Sequence, residues 1–424
     1  MLPQFMRSKS YSAFYKLLAV GIFLLCLLPE ILALLLSVVL FIFFLFEKQR
    51  ERSRITLDTN GVFLIGYDFC ILATIFWAKI QANTAYTFIM WLCAFAVYII
   101  IMNLCDTKLK IENIMLCMVG GAGACSAVAV VQMIFMAVGK SGFFPSPLYS
   151  RFDSFFSRLV NYPIFVEAAQ DRVSGTFQTP LALSTFLVMA FPLAVFLCFY
   201  GKTVKRKRFA IIASGLIFFG IMFTFLKGTV VAVILSLMTL SFAGKKPAKI
   251  MSGIAAVSSV TILLVIYLRR GITAAQDIST ANRIILWKEC LNIFLSHPFG
   301  IGAGSDNVRQ FLFADSLYLV SAHNLFIEIL TETGVVGILI FAVMGFVSVR
   351  NIFNLYDCGG WYKRYATAFA SSLLGFSAMS LFEHTLCFPT EMIYFAALLA
   401  LIDATKRIAV KKGKLPAEKK EVKI

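Results

Sequence analysis

The side chains able to do chemistry are few, and two groups of them share helical faces. His323 and Asn324 open an otherwise apolar run, and Asn324, Glu328 and Glu332 recur four residues apart. That spacing places all three on one face of a helix. His323 then stands at the helix mouth, where an imidazole titrating near neutral pH can take a proton from a substrate hydroxyl. Glu328 lies about one turn inside and should face a bundle interior or a wet cavity rather than lipid. The competing reading is a helix cap followed by interfacial polar residues. In the second group, Arg283 and Trp287 are also four apart. The guanidinium offers a fork of donors matched to phosphate oxygens. Trp287 suits a membrane interface or a platform for a sugar ring. The bland alternative is an amphipathic helix with a snorkelling arginine. The three histidines, His297, His323 and His384, are far apart and have no partner at ligand-like spacing, so no metal site is expected.

Further cations lie at Arg172, Lys227, Arg269 and Arg270, with Lys227-Gly228 interrupting two apolar blocks. Gathered around one cavity, they would suit a lipid-linked pyrophosphate. Scattered, they are ordinary surface charges. The glycine-rich stretch His297–Gly304 lacks the strand–turn–helix setting and the Lys-Ser/Thr ending of a nucleotide loop. It reads as a tight turn with close backbone packing. Asp277, Asp306 and Asp315 are unranked helpers. Glu328 and Glu332 are not read as a glycosidase pair, because a membrane helix is the wrong setting for one.

These residues must be positioned by a membrane-embedded scaffold. Of 424 residues, 60% are hydrophobic and only 14% charged, with 43 phenylalanines and a net charge of +17. Mean hydropathy is +0.85. Soluble domains carry about 25% charged residues. Disorder is excluded by the hydrophobicity, and a disulfide scaffold by ten cysteines in so long a chain. Apolar runs at 17–28, 31–46, 61–78, 84–102, 113–138, 180–199, 209–226, 229–243, 250–268, 324–349, 365–382 and 387–403 predict an all-α polytopic membrane protein of about 12 transmembrane helices, a single transmembrane domain over 1–424. With this alternation, 28 of the 39 lysines and arginines fall in one compartment and 11 in the other. The positive-inside rule then puts both termini in the cytoplasm and the three histidines outside. The basic tail 404–424 reads as a cytoplasmic anchor facing anionic membrane lipids, not as a nucleic-acid site. The segments 139–179 and 269–323 become outer loops, the second being the candidate catalytic loop, with a helix expected near 281–295.

The ordered pieces Arg283-Ile284-Ile285-Leu286-Trp287, His297-Pro298-Phe299-Gly300-Ile301-Gly302, His323-Asn324-Leu325-Phe326-Ile327-Glu328 and Glu332-Thr333-Gly334-Val335-Val336-Gly337 resemble the O-antigen ligase/polymerase family of membrane glycosyltransferases. Arg172-Val173-Ser174-Gly175-Thr176-Phe177 with Pro180, and Phe223–Gly228, look like upstream family features. The resemblance implies a fold similar to the C superfamily of lipid-sugar glycosyltransferases. It also implies metal-independent, inverting transfer from an undecaprenyl-diphosphate-linked glycan, without a cofactor, on the outer face of the bacterial cytoplasmic (inner) membrane. On that resemblance His323, Arg283 and Arg172 are catalytic. Arg172, Lys227, Arg283, Arg269 and Arg270 bind the diphosphate, and Asn324, Glu328, Trp287 and Glu332 support them. Lys227 stands where the family often has arginine, which keeps the charge and loses the bidentate fork. Polymerisation onto a lipid-linked repeat unit, with a chain-length regulator as a further partner, is the first reading. Ligation to lipid A–core or another terminal acceptor is the second. A lipid-linked oligosaccharide transporter is the third.

Overall fold

The computed structural model describes residues 4–138, 172–243, 274–312, 321–416 and 422–423. The chain is built almost wholly of helices: α1 (Gln4–Leu25), α2 (Glu30–Glu51), α3 (Thr59–Thr74), α4 (Gln81–Leu104), α5 (Lys108–Ala137), α6 (Pro180–Tyr200), α7 (Val204–Phe223), α8 (Lys227–Ala243), α9 (Ala274–Ser296), the short α10 (Ser305–Arg309), α11 (Leu325–Asp357), α12 (Gly360–Ser380) and α13 (Pro389–Lys411). Two-residue strands, β1 (Thr56–Leu57) and β2 (Val422–Lys423), pair antiparallel.

Among the described residues five helices are long and apolar enough to cross a membrane: α2, α4, α5, α6 and α11. This makes the chain a multi-pass membrane protein and corrects the expected twelve spans. The physical reason is that apolar composition does not fix where a helix ends. The blocks at 61–78 and 229–243 fold as helices of 16 and 17 residues. At 1.5 Å per residue these measure about 24–26 Å, short of a hydrocarbon core of about 30 Å. The blocks at 17–28, 209–226, 365–382 and 387–403 are fused to polar neighbours. Helix α7 begins with Lys205–Arg208, and α13 carries Glu391, Asp403, Lys406 and Arg407. The block at 250–268 lies outside the described residues. With the alternation gone, the charge division built on it no longer assigns sides.

Helix α6 sits at the centre, with 94% of its apolar window buried. Its sequence is hydrophobic all round, which suits a core position as well as a membrane span. Thr179 caps it, its hydroxyl accepting from Ala182 N–H at 3.1 Å, and Pro180 occupies the first turn. Helix α6 packs on α5, α7, α8, α12 and α13. Helix α2, only 33% buried, lies at the periphery.

The two ends of the bundle differ chemically. At one end Arg206 pairs with Glu112 at 2.8 Å, and Arg407 donates to Thr56 Oγ1 at 2.7 Å. There too Lys406 faces Asp58, and Arg364 lies over Tyr200. The other end carries the glycine-rich turn and the head of α11. Helix α11 is not continuous: Gly334 adopts φ 68°, ψ −161°. The turn docks into this break, where Val335 N–H donates to Pro298 O (2.9 Å), Ile301 N–H to Thr331 O (3.1 Å) and Gly302 N–H to Glu332 O (3.1 Å). Trp77 Nε1 donates to Gly300 O from the other side. The expected tight turn is therefore present, and its partner is the interrupted helix.

Candidate functional site

The site assembles where α9, the head of α11 and the α12–α13 connection meet. Asn324 is the N-cap of α11, its Oδ1 accepting from Phe326 and Ile327 N–H at 3.0 and 3.1 Å. Its Nδ2 donates to Leu381 O at 3.0 Å, which ties the cap to the α12–α13 connection. His323, just before the cap, has φ +48°, a left-handed conformation that only a few per cent of non-glycine residues adopt, histidine among the more frequent.

From α9, Arg283 reaches across to the same connection. Its Nη1 donates to Phe382 O at 2.9 Å, and its Nη2 meets Glu383 Oε1 at 2.8 Å. The other oxygen of Glu383 lies 3.0 Å from His323 Nδ1. One carboxylate thus bridges the arginine and the histidine. An ionised carboxylate only accepts, so its partner Nδ1 carries the hydrogen, and Nε2 is the ring nitrogen left for another partner. Glu383 is 10% exposed, Arg283 28% and His323 35%. The carboxylate is sequestered while both of its partners reach the surface.

Beneath this triad is a second, fully buried layer. Glu328 Oε2 accepts from Ala322 N–H at 2.6 Å, and its Oε1 lies 3.7 Å from His384 Nδ1. Burial, and then the neighbouring His323, push His384 down to about 3, so its imidazole is neutral near pH 7. Glu332, one turn further along α11, points into the same layer. The inward placement expected for Glu328 is what the helix adopts.

Two hollows flank the layer. A cavity of about 570 Å³ is lined by Glu332 and His384 together with Asn83, Tyr86, Trp91, Asp306 and Arg309. An apolar groove of about 520 Å³ starts at Phe326 and follows Phe341, Met344, Phe353 and Leu374 toward Tyr356.

The structure brings together Arg283, His323, Asn324, Glu328 and Glu332. Trp287 is close by and half-buried. Its indole N–H donates to Ala322 O at 2.8 Å, and it packs on the small cluster of Leu286, Cys290 and Ile301. Lys227 is exposed at the start of α8 and borders the site through its neighbour: a Cβ on Gly228 would lie 3.3 Å from Phe382 Cβ. Arg172 makes no hydrogen bond or ion pair with Arg283, His323 or Glu383 among the described residues. Its segment is instead held by Gln132 of α5, whose Oε1 accepts from Ser174 and Gly175 N–H at 3.2 and 2.8 Å. Arg269, Arg270 and Asp315 lie outside the described residues, as does most of 139–179. His297 stands apart, its ring edge-on to Phe311.

Glu383 and Gln132 are the residues that sequence reasoning missed. The one available signal for Glu383 was its position beside the third histidine, in Phe382-Glu383-His384.

The chain is a helical multi-pass membrane protein with a polar triad at one bundle end, a cavity lined by Glu332 and His384, and an apolar groove that starts at Phe326. Residues 181–342 match the family model described as O-Antigen ligase, so over this segment the chain is similar to that family. The match contains Lys227, Arg283, Trp287, His323, Asn324, Glu328 and Glu332. Arg172, Glu383 and His384 lie outside it. No curated protein matches the chain.

Proposed function

We propose that the chain is a membrane glycosyltransferase of the O-antigen ligase type. In this reading it transfers a glycan from undecaprenyl diphosphate to a terminal acceptor such as lipid A–core. The observation that carries it is the Glu383 bridge, which fixes a cation and a proton acceptor side by side within reach of the surface. The matched family description favours ligation over the polymerisation that the sequence put first.

The acceptor hydroxyl attacks the anomeric carbon as the bond from that carbon to the diphosphate oxygen breaks. The bonding pair leaves on the diphosphate, where Arg283 and Lys227 offset the growing charge, with Arg172 as a further cation. The hydroxyl proton passes to His323 Nε2, while Glu383 stabilises the imidazolium that forms. Attack opposite the leaving group inverts the anomeric configuration. No step calls on a metal, because the cations supply the positive field. The apolar groove beginning at Phe326 suits the polyprenyl tail.

The contrast between the two bundle ends supports an orientation. The end rich in lysine and arginine, around Arg206, Arg364 and Lys406, belongs at the cytoplasmic side by the positive-inside rule. The triad then opens on the outer face of the cytoplasmic membrane, where lipid-linked glycans are consumed.

Purified protein in lipid nanodiscs, given an undecaprenyl-diphosphate glycan and lipid A–core, tests the reading. The expected product is glycosylated lipid A–core with release of undecaprenyl diphosphate. Oligomers on undecaprenyl diphosphate would restore polymerisation. Absence of any new glycosidic bond would overturn the enzyme assignment.

A further inference from the structure

Below the triad, Glu328, Glu332 and His384 form a cluster that the transfer reaction leaves unused. We propose that these three side chains bind one divalent transition-metal ion. Glu328 and Glu332 are stacked on one face of α11 by their four-residue spacing, and the α12–α13 connection delivers His384 against them. One ligand atom from each lies within 4.8 Å of the others, and all three side chains are buried.

A second observation points to an occupant. Glu328 Oε1 and Glu332 Oε1 are sequestered from solvent and accept no hydrogen bond, and no lysine or arginine pairs with either carboxylate among the described residues. A buried acid pair left in this way is costly until a positive charge is supplied. His384 Nδ1 and Glu328 Oε1 are 3.7 Å apart. Two ligands about 2.1 Å from a shared tetrahedral ion are about 3.4 Å apart, so only a small side-chain shift is needed. One imidazole nitrogen with two carboxylate oxygens suits Mn²⁺, Fe²⁺ or Zn²⁺ rather than Ca²⁺ or Mg²⁺, which prefer all-oxygen shells. Glu332 and His384 also line the 570 Å³ cavity, which gives the ion a route in and lets water complete its shell.

The ion has a positioning task. The second oxygen of Glu328 holds Ala322 N–H, the residue before His323, and His384 follows Glu383 directly. An ion here ties the two strands of chain that carry the triad, without touching the reacting atoms.

The test needs no glycan, so its failure is separate from failure of the transferase reading. Full-length protein in nanodiscs is stripped with EDTA, equilibrated with Mn²⁺ or Zn²⁺, desalted and analysed by inductively coupled plasma mass spectrometry. About one equivalent per chain is expected, with a rise in thermal unfolding temperature on reloading. Glu332→Gln, close to isosteric, should lose most of the bound metal and the thermal shift together. His384→Gln provides a second variant should the first fail to fold. A well-folded wild-type protein that retains no more metal than these variants overturns the proposal and leaves a proton as the neutralising charge.

Discussion

Replacing Glu383 by glutamine removes the charge from the bridge while keeping its shape. In the native site the carboxylate makes two ionic hydrogen bonds, 2.8 Å to Arg283 and 3.0 Å to His323. Hydrogen bonds to charged groups contribute about 1.5–3 kcal/mol each. The single amide oxygen of the variant can still accept one of them, as a neutral partner. The net loss is then about 2–4 kcal/mol, which converts to a fall of roughly 30- to 1000-fold in kcat. The side chain is only 10% exposed, so solvent screening does little to reduce this. Turnover should be followed with donor and acceptor both saturating, alongside thermal unfolding to confirm that the variant is intact. A purely structural role predicts independent effects. A shared role predicts that Glu383→Gln costs little further in a His323→Ala background, because residues acting as a unit are strongly non-additive. Wild-type turnover in a folded Glu383→Gln protein, or effects that multiply in the double variant, would refute the bridge as part of the machinery.

Other substitutions probe the parts that hold this bridge. Gln132→Leu releases the Ser174–Gly175 backbone behind Arg172. If Arg172 grips the donor, the donor KM should rise about tenfold with kcat little changed, the equivalent of about one net hydrogen bond; an unchanged KM would remove Arg172 from the site. Trp287→Phe deletes the bond to Ala322 O and should lower kcat severalfold at a cost of about 1 kcal/mol in stability, read from paired turnover and unfolding measurements. Gly334→Ala puts a Cβ against Pro298 O at a backbone conformation essentially reserved for glycine. It should cost at least about 1–3 kcal/mol, and an unchanged unfolding temperature would contradict the break in α11. Asp403→Ala strands three buried donors, Asn60, Asn351 and Tyr98, at the opposite end. It should destabilise by about 3–5 kcal/mol while leaving turnover per folded molecule intact.

Local chemistry was legible in the sequence wherever its partners are close along the chain. The four-residue spacing of Arg283 and Trp287 does place both on one face, and Asn324 does cap the helix that follows it. The glycines between His297 and Gly304 announced a turn. Span count was not legible, because a run of apolar residues says how a segment partitions and not where its helix stops. Thr59–Thr74 ends short, and Pro389–Lys411 carries its apolar run straight into Asp403, Lys406 and Arg407, which are satisfied by distant side chains. Glu383 was invisible for the same reason. Its partners lie 60 and 100 residues away, and nothing in its own neighbourhood reveals them.

The break in α11 explains why such distant partners can hold a defined geometry. An uninterrupted helix from Leu325 to Asp357 would couple the site to its long lipid-facing half, of which residues such as Phe346 and Phe353 are exposed. At Gly334 the intrahelical ladder stops, and the carbonyls of Thr331 and Glu332 accept instead from Ile301 and Gly302. A membrane helix tolerates an interruption only where other groups satisfy its freed backbone, and the glycine-rich turn is that group. The turn follows directly from α9, the helix that carries Arg283. The segment bearing His323, Glu328 and Glu332 is therefore fastened to the element that supplies the cation more directly than to the remainder of its own helix. Displacement of the half of α11 beyond Gly334 that lines the apolar groove leaves the distance from Arg283 through Glu383 to His323 unchanged, which is what the proposed transfer requires when a lipid-linked donor enters.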